Sequence, residues 1–252
     1  LIAAFVLNKS RTYVHAFNQN IVLDKQEKLF RTILEEKLKG RPLAHIIGSC
    51  EFMGRIFNVS PTVLIPRPET EELIEQSLKQ LKMRLPNTIL DLCTGSGCIA
   101  ISLAFLFHSA HVTAADISAE ALETALTNAR NLNVAKRIDF IKSNLFDNIQ
   151  KSFDFIISNP PYIPTEVIKT LSPEVLCEPH IALDGGKDGL EIIKKIAKQA
   201  CEHLNPEGLL ALEIGCEQAP KVVKFFKEDK WRIPQVVRDF AGIERFVFVR
   251  KK

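Results

Sequence analysis

The stretch Thr88–Phe107, "TILDLCTGSGCIAISLAFLF", reads as an apolar strand, a glycine-rich turn and an apolar helix. Gly95 and Gly97 permit a sharp turn and a close approach of the backbone to a ligand. From Cys98 onward, the start of a helix offers unpaired N–H groups to whatever lies there. Read as Gly95-x-Gly97-x-x-Ala100, the turn matches a dinucleotide fingerprint, which alone is weak because similar turns serve as plain connections. The next apolar run, "HVTAADIS", ends on Asp116, 19 positions after Gly97. An acid there accepts both hydroxyls of a ribose, or else Asp116 or Ser118 simply caps the following helix. Together the two features predict an adenosine-bearing ligand at the carboxyl ends of two strands, and they leave NAD and S-adenosylmethionine both open.

Outward from this turn, strands alternate with helices. Strands are predicted over 88–92, 111–115, 138–141, 153–158, 208–214, 231–237 and 245–250, and helices over 98–107, 118–131, 188–204 and 218–228. In the third helix Leu190, Ile193, Ala197, Ala200 and Leu204 form the apolar stripe. Such alternation predicts an α/β fold with a mostly parallel sheet covered on both faces. The last two strands leave no room for a helix between them, so they should form an antiparallel hairpin at the sheet edge. Residues 1–40 have a helical pattern instead, with Leu29, Ile33, Leu34 and Leu38 on one face and Gly40 as a stop. "EFMGRIFNVS" reads as a hairpin turning at Gly54, and Pro66 and Pro68 force an extended path before the acidic start of a helix at Glu69, Glu71 and Glu72. The chain begins without Met inside what reads as a helix, so an N-terminal piece is expected to be missing.

Lysine and arginine number 33 against 30 acids, a net charge of +3, which is too balanced for a dedicated duplex-DNA binder. Cys50, Cys93, Cys98, Cys177, Cys201 and Cys216 show neither Cys-x-x-Cys nor zinc-finger spacing. They are read as buried free thiols in a reducing cytoplasm. No metal site is expected, at His108 and His111 or elsewhere. No apolar run approaches the length of a membrane span and no signal-peptide pattern is visible, so neither membrane nor export is expected.

The fourth strand separates the two cofactors. In "FIISNPPYIP" (155–164) a buried strand stops on a polar amide, and two residues without N–H donors follow. A conjugated nitrogen, as in a carboxamide or a base's exocyclic amine, is planar, uncharged and a poor nucleophile. A pair of acceptors that grips both of its N–H bonds orients it and favours its pyramidalisation toward a methyl donor. The Asn159 side-chain oxygen and the Pro160 carbonyl supply that pair, and Pro161 confines Pro160 to an extended conformation. Tyr162 can lie over the planar group, with a ring face that also suits a sulfonium. A bare Asn-Pro-Pro is only a rigid strand exit; after the glycine turn and Asp116 it predicts N-methylation with S-adenosylmethionine.

With these residues in view, the chain resembles class I S-adenosylmethionine-dependent methyltransferases. More narrowly it is similar to the HemK/PrmC family, which methylates the glutamine side-chain amide of peptide chain release factors. "RPLAHIIGSCEFMGRIFNV" and "LIPRPETEELIE" match the family's interdomain segment; "DLCTGSGCIAISLA", "SNPPYIP", "EPHIALDGGKDGL" and "ALEIGCEQ" match its catalytic domain. Asn-Pro-Pro-Tyr is shared with nucleic-acid adenine and guanine amine methyltransferases. Arg67-Pro68-Glu69-Thr70 discriminates further, since ribosomal-protein glutamine methyltransferases usually depart from it after the arginine.

The resemblance implies a seven-stranded Rossmann-like sheet with a C-terminal antiparallel hairpin and a small N-terminal helical domain. Residues 1–41 would dock the release factor, 42–68 would be a hairpin linker, and 69–252 the catalytic domain. It implies that Cys93, Thr94, Gly95, Ser96 and Gly97 contact the cofactor's methionine part, Asp116 its ribose, and Asn144 and Leu145 its adenine. Asn159, Pro160, Pro161 and Tyr162 would hold the glutamine amide of a Gly-Gly-Gln loop, with Asn159 also touching the cofactor and Arg67, Glu69 and Thr70 covering the site. Three departures stand out: Cys93 for a usual first glycine, which requires a conformation that a β-carbon tolerates; Asn144 for a common aspartate; and His45, read as structural, for a usual tyrosine. The competing expectations are a nucleic-acid amine methyltransferase, which needs a basic groove, a ribosomal-protein glutamine methyltransferase, and a non-catalytic cofactor-binding partner of translation.

Overall fold

Among the described residues four helices lead the chain: α1 (Ile2–Leu7), α2 (Arg11–Ala16), α3 (Asp24–Leu38) and α4 (Leu43–Ile47). The structure, a computed structural model, describes residues 1–19, 21–81 and 84–252. Gly40 (φ 88°) ends α3 in the left-handed conformation, as the sequence predicts. The apolar face predicted on α3 is only partly covered: Ile33 is buried, whereas Leu29, Leu34 and Leu38 are exposed. A helical stripe states which face is able to be covered; the short α1 and α4 cover little of it.

Strands β1 (Ser49–Phe52) and β2 (Arg55–Asn58) form the expected hairpin, with Met53 (φ 49°) and Gly54 (φ 69°) both at positive φ in the turn. Phe52 and Phe57 are fully buried, edge to face at 5.9 Å, and anchor the hairpin to the hydrophobic core on one face of the large sheet. Burial of each ring contributes about 2–3 kcal/mol.

The remainder alternates: α5 (Pro68–Leu81), β3 (Thr88–Leu92), α6 (Cys98–Leu106), β4 (His111–Asp116), α7 (Ala119–Asn131), β5 (Ile138–Lys142) and β6 (Phe153–Ser158). Three single-turn helices follow, α8 (Thr165–Ile168), α9 (Pro173–Leu176) and α10 (His180–Leu183), then α11 (Glu191–Gln199), β7 (Leu204–Glu213), α12 (Ala219–Val222), β8 (Gln235–Arg238) and β9 (Glu244–Arg250). Among the described residues, seven strands make one sheet in the order β5-β4-β3-β6-β7-β9-β8, parallel up to β7 and antiparallel through β9 and β8. Side chains alternate between its faces. Ile89, Leu209 and Ala211 join Leu73, Ile99 and Ala129 from α5, α6 and α7 on one side. Leu90, Leu210 and Leu212 join Ile193, Ile196 and Trp231 on the other.

Two predicted helices are shorter than their patterns. The 188–204 pattern becomes α11 plus a 3-10 turn over Ala200–His203, because Gly189 (φ 73°) delays its start and Leu204 pairs with Phe153. The 218–228 pattern holds only α12 and a 3-10 turn over Val223–Phe225. Of the cysteines read as buried, only Cys98 is; Cys177 and Cys216 are exposed, and all six are free. Among the described residues no helix is long and apolar enough to cross a membrane.

One buried side chain ties the hairpin to the glycine turn. Asn128 on α7 accepts from Asn58 N–H (2.8 Å) and donates to the carbonyls of Asn58 (3.0 Å) and Ser96 (2.9 Å). Asn128→Ala is therefore expected to cost about 2–3 kcal/mol, one buried and two half-buried hydrogen bonds being lost. Denaturant unfolding checks it, and a loss below 1 kcal/mol would mean the clamp is dispensable.

Candidate active site

The strand order reverses between β3 and β6, where neighbouring connections leave in opposite directions and open a crevice at the carboxyl ends of the strands. Four adjacent strands deliver the predicted residues there: Cys93–Gly97 follow β3, Asp116 ends β4, Asn144 and Leu145 follow β5, and Asn159–Tyr162 follow β6.

The glycine turn is built on Asp91, which is wholly buried. Its Oδ2 accepts the Thr94 hydroxyl and the Ala100 N–H, while Oδ1 has no partner among the described residues. Cys93 adopts φ 59°, inside the small left-handed region open to residues with a β-carbon. Gly97, at φ 80°, leaves no room for a β-carbon: one placed there would lie 2.9 Å from the Ala125 methyl. A β-carbon on Gly95 would meet nothing within 4 Å and would project into open space.

Burial pushes the Asp91 carboxyl up to about 7, with Asp116 adding to it and the Thr94 and Ala100 bonds opposing. The folded value exceeds the ordinary one, so the group's contribution to stability is present at low pH and is lost as pH rises through 7. Between pH 5.5 and 8 the wild-type chain should lose on the order of 2 kcal/mol relative to Asp91→Asn, which has no such proton. Parallel unfolding curves for the two proteins across that range would contradict this.

A cavity of about 260 Å³ opens beside the turn, lined by Cys93, Gly95, Asp116, Asn144, Leu145 and Asn159 among others. Asp116 Oδ2 accepts the Gly95 N–H and Oδ1 the Ser118 N–H, both at 2.9 Å. Each oxygen keeps a lone pair for a further donor. Burial raises the Asp116 carboxyl, opposed by the N–H groups of Ser118, Gly95 and Ile117. Ser118 also caps α7 through Ala121 N–H, so the capping and ligand readings of this corner hold together. Gly95's open side, the free lone pairs of Asp116 and the mainly apolar walls fit S-adenosylmethionine: backbone for its amino-acid end, carboxylate for its ribose, Leu145 for its base.

A second cavity is lined by Leu64, Arg67, Asn159, Pro160, Tyr162 and Leu183, among others. Asn159 belongs to both, and Pro161 lines the first. Asn159 thus stands where two cavities meet. Its Nδ2 donates to Thr70 Oγ1 (3.0 Å), Thr70 donates to Glu213 Oε2 (2.8 Å), and the Tyr162 hydroxyl reaches Glu213 Oε1 at 3.4 Å. Arg67 pairs with buried Glu178, which also accepts the Ile65 N–H and so fastens the Pro66–Thr70 segment beside the second cavity. Thr94, Ser96, Gly97, Glu69 and Thr70 line neither cavity among the described residues; Thr70 lies buried behind Asn159. His45 is buried on α4, and burial lowers its pKa.

Sequence reasoning missed Glu213, Gln218 and Gly189. Gln218 Nε2 donates to the carbonyls of Tyr162 (2.9 Å) and Gly189 (3.3 Å), and its Oε1 accepts from Gly215 N–H (2.8 Å). A β-carbon on Gly189 would collide with the Tyr162 carbonyl. The quoted "LDGGKDGL" and "LEIGCEQ" segments hold these residues, and the polar Glu and Gln inside and beside an apolar strand were the available signal.

Residues 72–178 match the family model "Methyltransferase small domain", and residues 1–48 match "PrmC N-terminal domain". The chain is 40% identical to a release factor glutamine methyltransferase of Koribacter versatilis, over all of this chain and 89% of that protein. It is 39% identical to one from Nitratidesulfovibrio vulgaris, over all of this chain and 86% of that protein. The crystal structure of a methyltransferase from Pyrococcus furiosus superposes with a TM-score of 0.60 at 22% identity, covering 87% of this chain and 97% of that one, a likeness of fold.

Proposed function

The chain belongs to the release factor glutamine methyltransferase family, and on that premise we propose that it transfers a methyl group from S-adenosylmethionine to the glutamine amide of the Gly-Gly-Gln loop in peptide chain release factors. The observation that carries this reading is the position of Asn159, at the junction of a cavity suited to the cofactor and one suited to a flat carboxamide. S-adenosylmethionine, when bound, supplies an electrophilic methyl group on a sulfonium. Asp116 would bind the ribose hydroxyls, the Cys93 and Gly95 backbone the amino-acid end, and Asn144 and Leu145 would border the adenine. Asn159 Oδ1 and the Pro160 carbonyl would accept the two N–H bonds of the glutamine amide and fix its plane, and Tyr162 would limit its sideways motion.

Residues 1–41 would dock the body of the release factor, a reading that the exposed Phe5, Phe17, Leu29 and Leu38 support. Residues 42–68 would set the distance between that surface and the catalytic domain of 69–252. The protein would work in the cytoplasm, where its free thiols stay reduced. Incubation with purified release factor and methyl-labelled cofactor tests the reading. Label should enter the intact factor and disappear on Gln→Ala substitution in its Gly-Gly-Gln loop; labelling that survives the substitution, or none at all, refutes it.

A further inference from the structure

The Asn159 carboxamide has two ends alike in shape and opposite in chemistry. Only its oxygen can accept an N–H from a substrate amide; the nitrogen, turned the same way, would oppose those hydrogens with its own. Behind it, Nδ2 donates to Thr70 Oγ1, and that hydroxyl donates to Glu213 Oε2. A hydroxyl has one proton. Once Thr70 has given its proton to the carboxylate it can only accept toward Asn159, which draws the nitrogen inward and leaves the oxygen outward. The geometry points to Thr70 and Glu213 as positioning residues, a hydrogen-bonded chain that selects the Asn159 orientation in which the oxygen faces the substrate carboxamide. This rests on the role of Asn159 proposed above.

The chain is held from three sides. Thr70 lies in the first turn of α5, Glu213 ends β7, and Asn159 follows β6, the neighbour of β7 in the sheet. Thr70 and Glu213 are 2% and 1% exposed, so water cannot replace either bond. The discriminating Arg67-Pro68-Glu69-Thr70 segment thereby acquires a purpose at its last residue: it sets the polarity of the catalytic amide without lining either cavity.

That polarity requires Glu213 to be ionised. The groups facing it are Thr70 and Glu69 from α5, Tyr162 from the loop after β6, and Arg245 from β9. Burial dominates and pushes the carboxyl up to about 7; Glu69 adds to it, while the Thr70 bond, the Arg245 charge and the Tyr162 bond oppose. A protonated Glu213 can donate to Thr70, freeing the Thr70 proton for Asn159 and admitting the reversed amide. Activity is then full above the Glu213 pKa and falls as pH drops through it.

Steady-state methylation of release factor between pH 5.5 and 8.5, with S-adenosylhomocysteine affinity measured in parallel, tests the chain. Thr70→Val should lower kcat at pH 8 about 10–100-fold, with KM and S-adenosylhomocysteine affinity within about threefold of wild type. Thr70→Ser should restore most of the rate. Glu213→Gln puts a permanent N–H donor where the protonated acid has its O–H and has no proton to gain or lose, so it should lower kcat at pH 8 and lose the acid limb. Wild-type kcat in Thr70→Val, or an unchanged acid limb in Glu213→Gln, overturns the inference. If Thr70→Val fails to bind S-adenosylhomocysteine, the Glu213→Gln pH profile decides alone. Asn159→Ala separates the two levels: full activity there refutes the site itself, whereas impaired Asn159→Ala beside unimpaired Thr70→Val refutes only the chain.

Discussion

Asn159→Ala is expected to lower kcat for release-factor methylation by about 10²–10³-fold, while S-adenosylhomocysteine binds within a few-fold of wild type. The loss falls on kcat because the acceptor acts where the amide nitrogen gives up conjugation, a change confined to the approach to the transition state. In the planar ground state the two N–H bonds can be satisfied by water or by Pro160 alone. Asn159→Asp is the informative companion: it keeps an acceptor but cannot donate to Thr70, so it should lose rate although its shape is preserved. Equal kcat in wild type and Asn159→Ala would remove the gripping acceptor from the mechanism.

The second large effect belongs to the cofactor. Asp116→Ala should weaken S-adenosylhomocysteine binding about 10²–10³-fold, from the loss of two hydrogen bonds to a charged acceptor. The substitution also frees the Gly95 N–H, which the carboxylate now holds at 2.9 Å, so the turn loses an anchor along with the ribose. Isothermal titration with S-adenosylhomocysteine measures this directly. Affinity within threefold of wild type would mean that Asp116 serves only the turn and the start of α7.

Much of the catalytic domain was legible because its information is local. Apolar runs of strand length, glycines at the β3–α6 turn and an acid at the end of β4 each announce themselves within a few residues, and the sheet follows from their alternation. The helices after β6 were less legible. Gly189 and Leu204 both fall inside the helical pattern of 188–204, and only the pairing of Leu204 with Phe153 shows that the strand claims its end. The support of the site was least legible of all. Thr70 and Glu213 are 143 positions apart, Asn159 and Thr70 are 89 apart, and Asn128 reaches 70 positions back to Asn58. A buried polar residue states that it needs a partner, but nothing nearby in the chain says which one. Cys93 is the intermediate case: the turn demanded a particular backbone, and a left-handed conformation at φ 59° is what a β-carbon there can accept.

The central claim is that a flat, weakly nucleophilic amide is made reactive by two acceptors held rigidly at the end of β6. A crystal structure with S-adenosylhomocysteine and a Gly-Gly-Gln peptide tests it most directly. The account predicts the glutamine nitrogen within hydrogen-bond distance of both Asn159 Oδ1 and the Pro160 carbonyl, on the side of the cofactor sulfur. A glutamine seated elsewhere, or an Asn159 oxygen turned inward toward Thr70, would contradict it.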